Sequence, residues 1–423
     1  MEIKKKILVL VPHQDDETNL VGNIMNELTE NEVYVLYSSI DTNPMHAFVR
    51  KQEAIAACAI WGIDKDHIIF LDYPDTANRA GKHFYTNGDK RIEKSIEEVL
   101  LSLKPDVIFA TDFDFHSDHR MLSLAVDHVM GKVLRENHDF RPFVLKGFCY
   151  ETSYYGVEDY VATKINLVAQ KLDPVSNVSY KWDKKISIKS VEKERIIWKR
   201  RAYKALACHK SQYAILHAKS VVSDDNVFWN RRTDNLLYDS KLTVSSGNAE
   251  KLRDFLILDT DNVIERNPHV IDYSKADWIP DGIDAWINAE WEQKIKFDRI
   301  IFHGSLNAIE EKTINFSIYT DGNLIGKMDK INPYGRDTIF KLDVIECKEL
   351  KIVFTSGNIA LSEIEVLYGD MILPFDTGED KEVNRNKFID IYSEFGYKLI
   401  VLRTRLGRKV RKLVSAIHRR TFD

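Results

Sequence analysis

Histidine and aspartate crowd two short segments of this chain, Pro12-His13-Gln14-Asp15-Asp16-Glu17 and His116-Ser117-Asp118-His119. Imidazole nitrogen and carboxylate oxygen suit a borderline divalent ion, zinc first, and the same groups move protons near neutral pH. Three protein ligands with one position left open define a catalytic rather than a structural centre. A divalent ion there lowers the pKa of a coordinated water toward neutrality, and a carboxylate outside the ligand set takes the proton. Either segment alone reads equally well as a turn and a helix cap, because aspartate is favoured where a helix begins. Two of them, each following an apolar run, favour a metal site.

The apolar runs are Ile7-Leu8-Val9-Leu10-Val11 and Val107-Ile108-Phe109-Ala110. Both clusters are therefore expected at carboxyl ends of strands, where open α/β sheets place ligands. Within the first 150 residues, strand-like runs (7–11, 33–38, 67–71, 106–110, 143–149) alternate with amphipathic stretches such as 49–62 and 91–103. That alternation predicts an α/β fold, a Rossmann-like mostly parallel sheet with helices on both faces. Residues 187–220 read as a long polar helix around Trp198, Tyr203, Leu206 and Tyr213. Beyond residue 250 come short mixed segments (298–303, 313–320, 338–345, 350–355, 362–368) between turn signals such as Asp321-Gly322. These predict an all-β antiparallel sandwich, jelly-roll-like. Ser245-Ser246-Gly247-Asn248 offers a linker, which divides the chain into 1–248, 255–370 and a tail of 371–423.

A length of 423 residues suggests two or three domains, and 44% apolar with 30% charged residues is a globular composition. No apolar run approaches the length needed to cross a bilayer. Only five apolar residues follow Met1-Glu2-Ile3-Lys4-Lys5-Lys6, too few for a secretory signal, so a cytoplasmic location is expected. Cys58, Cys149, Cys208 and Cys347 are scattered and form no CxxC pair; they read as buried thiols. Net charge is −5, which argues against general nucleic-acid affinity. From Lys398 onward there are nine Lys/Arg and one acid, +8, which leaves −13 on residues 1–397. The same tail sets Leu399, Leu402, Leu406, Val410, Leu413 and Ile417 on one helical stripe. Such a helix suits peripheral contact with the inner face of a membrane, or else docking on the protein.

The paired clusters make residues 5 to 215 resemble the PIG-L/LmbE family of zinc-dependent N-deacetylases, which act on N-acetylglucosamine-type sugars. Supporting pieces are Arg50 with Glu53, Leu71-Asp72-Tyr73-Pro74-Asp75, Lys104-Pro105-Asp106, Lys204 and His209-Lys210-Ser211-Gln212. The resemblance implies His13, Asp16 and His119 as ligands of Zn2+, with Fe2+ as a substitute. It implies Asp15 as general base, and His116, oriented by Asp118, as the group that stabilises the oxyanion or protonates the leaving amine. Arg50 would bind substrate hydroxyl or phosphate groups. Gln14 and Ser117 stand where the family commonly has proline, and Asp114 where an aromatic or other polar group often lies near the oxyanion. A second negative charge there opposes catalysis unless Asp114 points away.

For single residues the plainer reading stays open. Arg50 and Glu53 also fit a helix-surface ion pair, Asp75 a turn after Pro74, and His209 and Gln212 a structural role. The later segment resembles a discoidin or coagulation-factor C-type sandwich, a fold shared with carbohydrate-binding modules, through Asp281-Gly282-Ile283-Asp284-Ala285-Trp286, Ile295-Lys296-Phe297 and Ser362-Glu363-Ile364-Glu365-Val366. Trp278, Trp286 and Trp291 would then stack on sugar rings or fill the core, the core being favoured. The expected activity is hydrolysis of an N-acetylated sugar or glycolipid to acetate and an amino sugar, in bacterial surface-glycan synthesis. The rivals are a catalytically silent glycan-binding adaptor and an amidase acting on a thiol-sugar conjugate.

Overall fold

From Ile7 on, every residue of β1 (Lys6–Val11) is fully buried, because both faces of this strand are covered. It pairs in parallel with β2 (Glu32–Ile40) and β4 (Val107–Thr111). Then β3 (Ile68–Pro74) joins β2, and β5 (Phe143–Gly147) joins β4, also in parallel. Short antiparallel strands β6 (Ile186–Ser187) and β7 (Val227–Arg231) complete the order β3-β2-β1-β4-β5-β7-β6. The computed structural model describes residues 4–75, 91–112, 116–149, 186–188, 194, 196–218, 221, 227–257, 277–282, 284–305, 312–332, 337–356, 359–377, 398–399, 401–403, 405–407 and 409–410.

The period of two along β1 sorts the helices onto the two faces. Ile7, Val9 and Val11 share one core with residues of α1 (Asp16–Val21), α2 (Met25–Leu28) and α3 (Pro44–Ile60). Leu8 and Leu10 share the other with α4 (Arg91–Leu103) and α5 (Ser117–Glu136). The chain runs outward from β1 through β2 to β3, then returns to the other side of β1 as β4. This reversal opens a crevice at the carboxyl ends of β1 and β4. α1 leaves β1 there and α5 leaves β4 there.

The described residues between 187 and 220 do not form the expected long helix. They comprise single turns at Ile197–Lys199 and Ala214–His217 around the short α6 (Arg201–Leu206), with Tyr213 left-handed at φ 53°. The breaks let His209 and Ser211 reach Glu17 and Glu53, contacts that a straight helix would not make.

The second sheet is antiparallel, built from β8 (Lys241–Val244), β9 (Trp286–Gly304), β10 (Ile314–Thr320), β11 (Asn323–Ile331), β12 (Asp337–Ser356) and β13 (Leu361–Leu367). The expected segments 338–345 and 350–355 are one strand, β12, whose pairing with β9 shifts register twice, between Lys341 and Ile345 and between Cys347 and Glu349. Such bulges bend a long ladder around its own core. The core gathers Trp278, Phe297, Ile300, Phe316, Phe354 and Ile364. Trp278 and Trp291 are buried, and their indole N–H groups donate to Ser246 O and Leu236 O, so these two are core aromatics rather than sugar platforms.

Strand β8 lies before the linker read at 245–248 and is already bound to β9. Upstream of it, Asn235 donates to Ile364 O and accepts from Val366 N–H on β13. Downstream, the segment packs on α5: Arg135 donates to Arg253 O at 2.9 Å and pairs with Glu250 at 2.8 Å. At Gly131 the helix comes so close that a Cβ would lie 2.0 Å from Asp254 O. No helix among the described residues is long and apolar enough to cross a membrane.

Candidate active site

His13 leaves β1 and His119 sits in the first turn of α5, yet one oxygen touches both. Asp16 Oδ2 is 3.2 Å from His13 Nδ1 and 3.1 Å from His119 Nε2. The same oxygen accepts the His13 backbone N–H at 3.0 Å. His13 Nε2 meets Asp118 Oδ2 at 3.0 Å. His116 caps α5, its Nδ1 accepting from the Asp118 N–H at 3.2 Å, and its ring lies 4.8 Å from that of His13 and 4.9 Å from that of His119. Asp118 Oδ2 is 4.0 Å from His116 Nδ1, farther than from His13.

Beside this cluster stands Asp15, in the rare backbone conformation φ 132°, ψ −21°. Arg50 on α3 is buried between two carboxylates, 3.9 Å from Asp15 Oδ1 and 3.9 Å from Asp75 Oδ2, and donates to Gln14 O at 3.4 Å. Arg50 is thus buried among carboxylates of the cluster rather than lying on the helix surface. Glu53 instead receives the backbone N–H and hydroxyl of Ser211.

Burial sets the electrostatics. It pushes the Asp15 carboxyl up to about 6, with the Asp16 charge adding to it and the Arg50 cation opposing. Burial would likewise raise Asp16, but the His119 and His13 rings hold it well below the usual carboxylate range. His13 is pulled down by burial, yet Asp118 and Asp16 outweigh this and bring it to about 9.

The donor set fits a divalent ion. The ligand atoms of His13, His116 and His119 lie within 4.8 Å of one another, as do those of Asp16, His119 and Cys149. All are buried or half-buried, and nitrogen, oxygen and sulfur donors together suit zinc. His13, Asp16 and His119, read as ligands from the sequence, do converge, as do Asp15, His116, Asp118 and Arg50. Asp114 lies outside the described residues. Three participants were not assigned to the site from the sequence: Asp75, 3.9 Å from His13 Nε2, the buried thiol of Cys149, and the pair Glu17–His209. The motif Leu71-Asp72-Tyr73-Pro74-Asp75 was the available signal for Asp75; nothing local marks Cys149.

The fold and site together define an α/β protein with a buried donor cluster at the switch point of its parallel sheet. Residues 8–130, which carry both His/Asp clusters, match the family PIG-L: GlcNAc-PI de-N-acetylase. No curated protein matches the chain. Among solved structures, an N,N'-diacetylchitobiose deacetylase from Pyrococcus horikoshii, complexed with its inhibitor MPG, is similar at 22% identity and a TM-score of 0.28. The similarity covers 34% of this chain and 60% of that one, so the chain spans less than two thirds of that deacetylase. The lectin domain of lectinolysin, complexed with Lewis B antigen, is 13% identical over 33% of this chain and 99% of its own, TM-score 0.25. The family 32 carbohydrate-binding module of C. perfringens NanJ, in complex with galactose, is 14% identical over 30% and 93%, TM-score 0.22.

Proposed function

We propose that this protein hydrolyses the N-acetyl group of an N-acetylglucosamine-type sugar or glycolipid, releasing acetate and a free amino sugar for surface-glycan synthesis. The observation that carries the reading is the convergence of His13, Asp16 and His119 around one point beside Asp15, inside the PIG-L match. His13, Asp16 and His119 would hold a zinc or iron ion, which when bound would supply Lewis acidity at the acetamide carbonyl and lower the pKa of a water. Asp15 takes the proton of the attacking water. His116 donates to the developing oxyanion or protonates the departing nitrogen, as the carbon–nitrogen bond breaks. Asp118 keeps the His13 ring oriented through Nε2. Arg50 binds sugar hydroxyl or phosphate groups near the reacting carbon, and Asp75 beside it accepts from a sugar hydroxyl.

The test is an acetate-release screen with metal-loaded protein on N-acetylglucosamine linked to inositol, nucleoside diphosphate, lipid pyrophosphate and oligosaccharide. Release from one of these, lost on chelation and restored by zinc, is expected. No release from any would overturn the reading, and glycan binding without turnover would establish the adaptor instead.

A second part of the reading concerns place. The described residues of 398–410 are helical, and Leu399, Leu402, Leu406 and Val410 are 50% to 58% exposed. An uncovered apolar stripe on a +8 segment supports peripheral attachment to an anionic lipid surface on the cytoplasmic side. Contact of the β-sandwich with the glycan belongs to the same proposal.

A further inference from the structure

We infer that Glu17 and His209 are a positioning pair that fixes the backbone of Asp15, making residues 197–217 a working part of the catalytic centre. This rests on the deacetylase reading above and extends it to residues beyond the PIG-L match. A non-glycine residue at φ 132° costs about 1–3 kcal/mol and persists only where its surroundings hold it. Here the Asp15 N–H donates to Glu17 Oε2 at 3.0 Å. The other oxygen, Glu17 Oε1, accepts from the Thr18 hydroxyl at 2.8 Å and from His209 Nε2 at 3.0 Å.

Both side chains of the pair are fully buried. A buried carboxylate needs a partner, and removing one member of such a pair leaves the other uncompensated. Among the described residues, His209 Nδ1 has no hydrogen-bond partner, while Nε2 meets Glu17. Backbone hydrogen bonds fix the ring's position: His209 N–H to Leu206 O at 3.1 Å and Ala214 N–H to His209 O at 3.3 Å. Two residues on, Ser211 grips Glu53 with its N–H at 2.8 Å and its hydroxyl at 2.7 Å. Glu53 lies on α3, the helix that carries Arg50. One turn of chain 192 residues from Glu17 thus contacts both the carboxylate that holds the proposed base and the helix that carries Arg50.

The test compares His209→Leu, which cannot donate, with His209→Gln, whose amide nitrogen stands where Nε2 was. Three readouts are taken on the full chain: steady-state acetate release, bound metal per chain, and amide hydrogen exchange in a peptide spanning residues 12–19. In His209→Leu, kcat is expected to fall at least tenfold, with KM and metal content held and exchange at Asp15 accelerated. His209→Gln recovers most of the lost rate and the protection. If the leucine variant does not fold, His209→Asn keeps a polar group in the pocket but falls short of Glu17, and the same losses are expected of it. Loss of metal in proportion to rate, or Asp15 as protected in the leucine or asparagine variant as in wild type, overturns the inference. The exchange readout stands even if the wild-type chain releases no acetate, so failure of this inference is distinguishable from failure of the proposed reaction.

Discussion

At the residue scale, the proposed chemistry concentrates in Asp15. Its carboxyl is not in the donor groups that converge among the described residues, is raised to about 6 by burial and the Asp16 charge, and faces Arg50 at 3.9 Å. An aspartate so placed accepts a proton without being lost to a ligand position. Asp15→Asn keeps the shape and removes the acceptor, so acetate release is expected to fall at least a hundredfold while bound metal stays at the wild-type level. Equal loss of metal and activity would instead make Asp15 a ligand. Most of this site was legible in the sequence because His13, Asp15, Asp16, His116, Asp118 and His119 lie in two short motifs. Cys149 was not, because a lone cysteine several β–α units along the chain from the first motif carries no spacing signal, and only the pairing of β5 with β4 brings its thiol to Asp16 and His119. The role of His209 was hidden for a related reason: its partner, Glu17, reads locally as an ordinary acid in the first turn of a helix.

At the element scale, α5 has two tasks. Its first turn presents His116, Asp118 and His119 to the crevice, and its later turns seat the segment that leads into the second sheet. Gly131 marks the seat: with a Cβ 2.0 Å from Asp254 O, helix and connector must part. Gly131→Ala is therefore expected to destabilise the protein by about 1–3 kcal/mol, read as a lower thermal midpoint, despite the better helix propensity of alanine. In the second sheet, His303 on β9 bonds Asp337 on β12 at 2.8 Å and lies 3.3 Å from Glu365 on β13, tying three strands together. Burial lowers its pKa, but the two carboxylates outweigh this and raise it to about 10. The folded value lies above the unfolded one, about 6.5. The stabilisation is thus complete below about pH 6.5 and is lost as pH rises toward about 10. Denaturant midpoints should fall across that window, and His303→Gln should flatten the fall; an unchanged slope would show that His303 is not the titrating group. These cross-strand ties could not be read from periodicity, which located strands but neither the merging of two segments into β12 nor the bends in it. Within 187–220, the described residues depart from the expected helix where His209 and Ser211 turn to the distant carboxylates of Glu17 and Glu53.

At the scale of the whole molecule, charge is divided along the chain: −13 over residues 1–397 and +8 after them. A basic helix could fold back on an acidic body, but among the described residues of the stripe Leu402 and Leu406 are each left 55% exposed. An anionic bilayer satisfies both faces of such a helix. Each Lys or Arg near the surface contributes about 1 kcal/mol, and each leucine fully buried in the acyl region about 1.5–3 kcal/mol. Neither alone gives firm attachment, since the charge is screened by salt and the stripe is short. The full chain is therefore expected to sediment with phosphatidylglycerol-containing vesicles, to release as salt is raised, and to ignore vesicles of phosphatidylcholine alone. Leu402→Glu with Leu406→Glu should abolish the binding and leave acetate release from a water-soluble substrate unchanged. Binding that survives this double variant would place the lipid contact elsewhere on the chain. A wild-type protein that stays in the supernatant and dimerises through the stripe would assign the tail to a second copy instead.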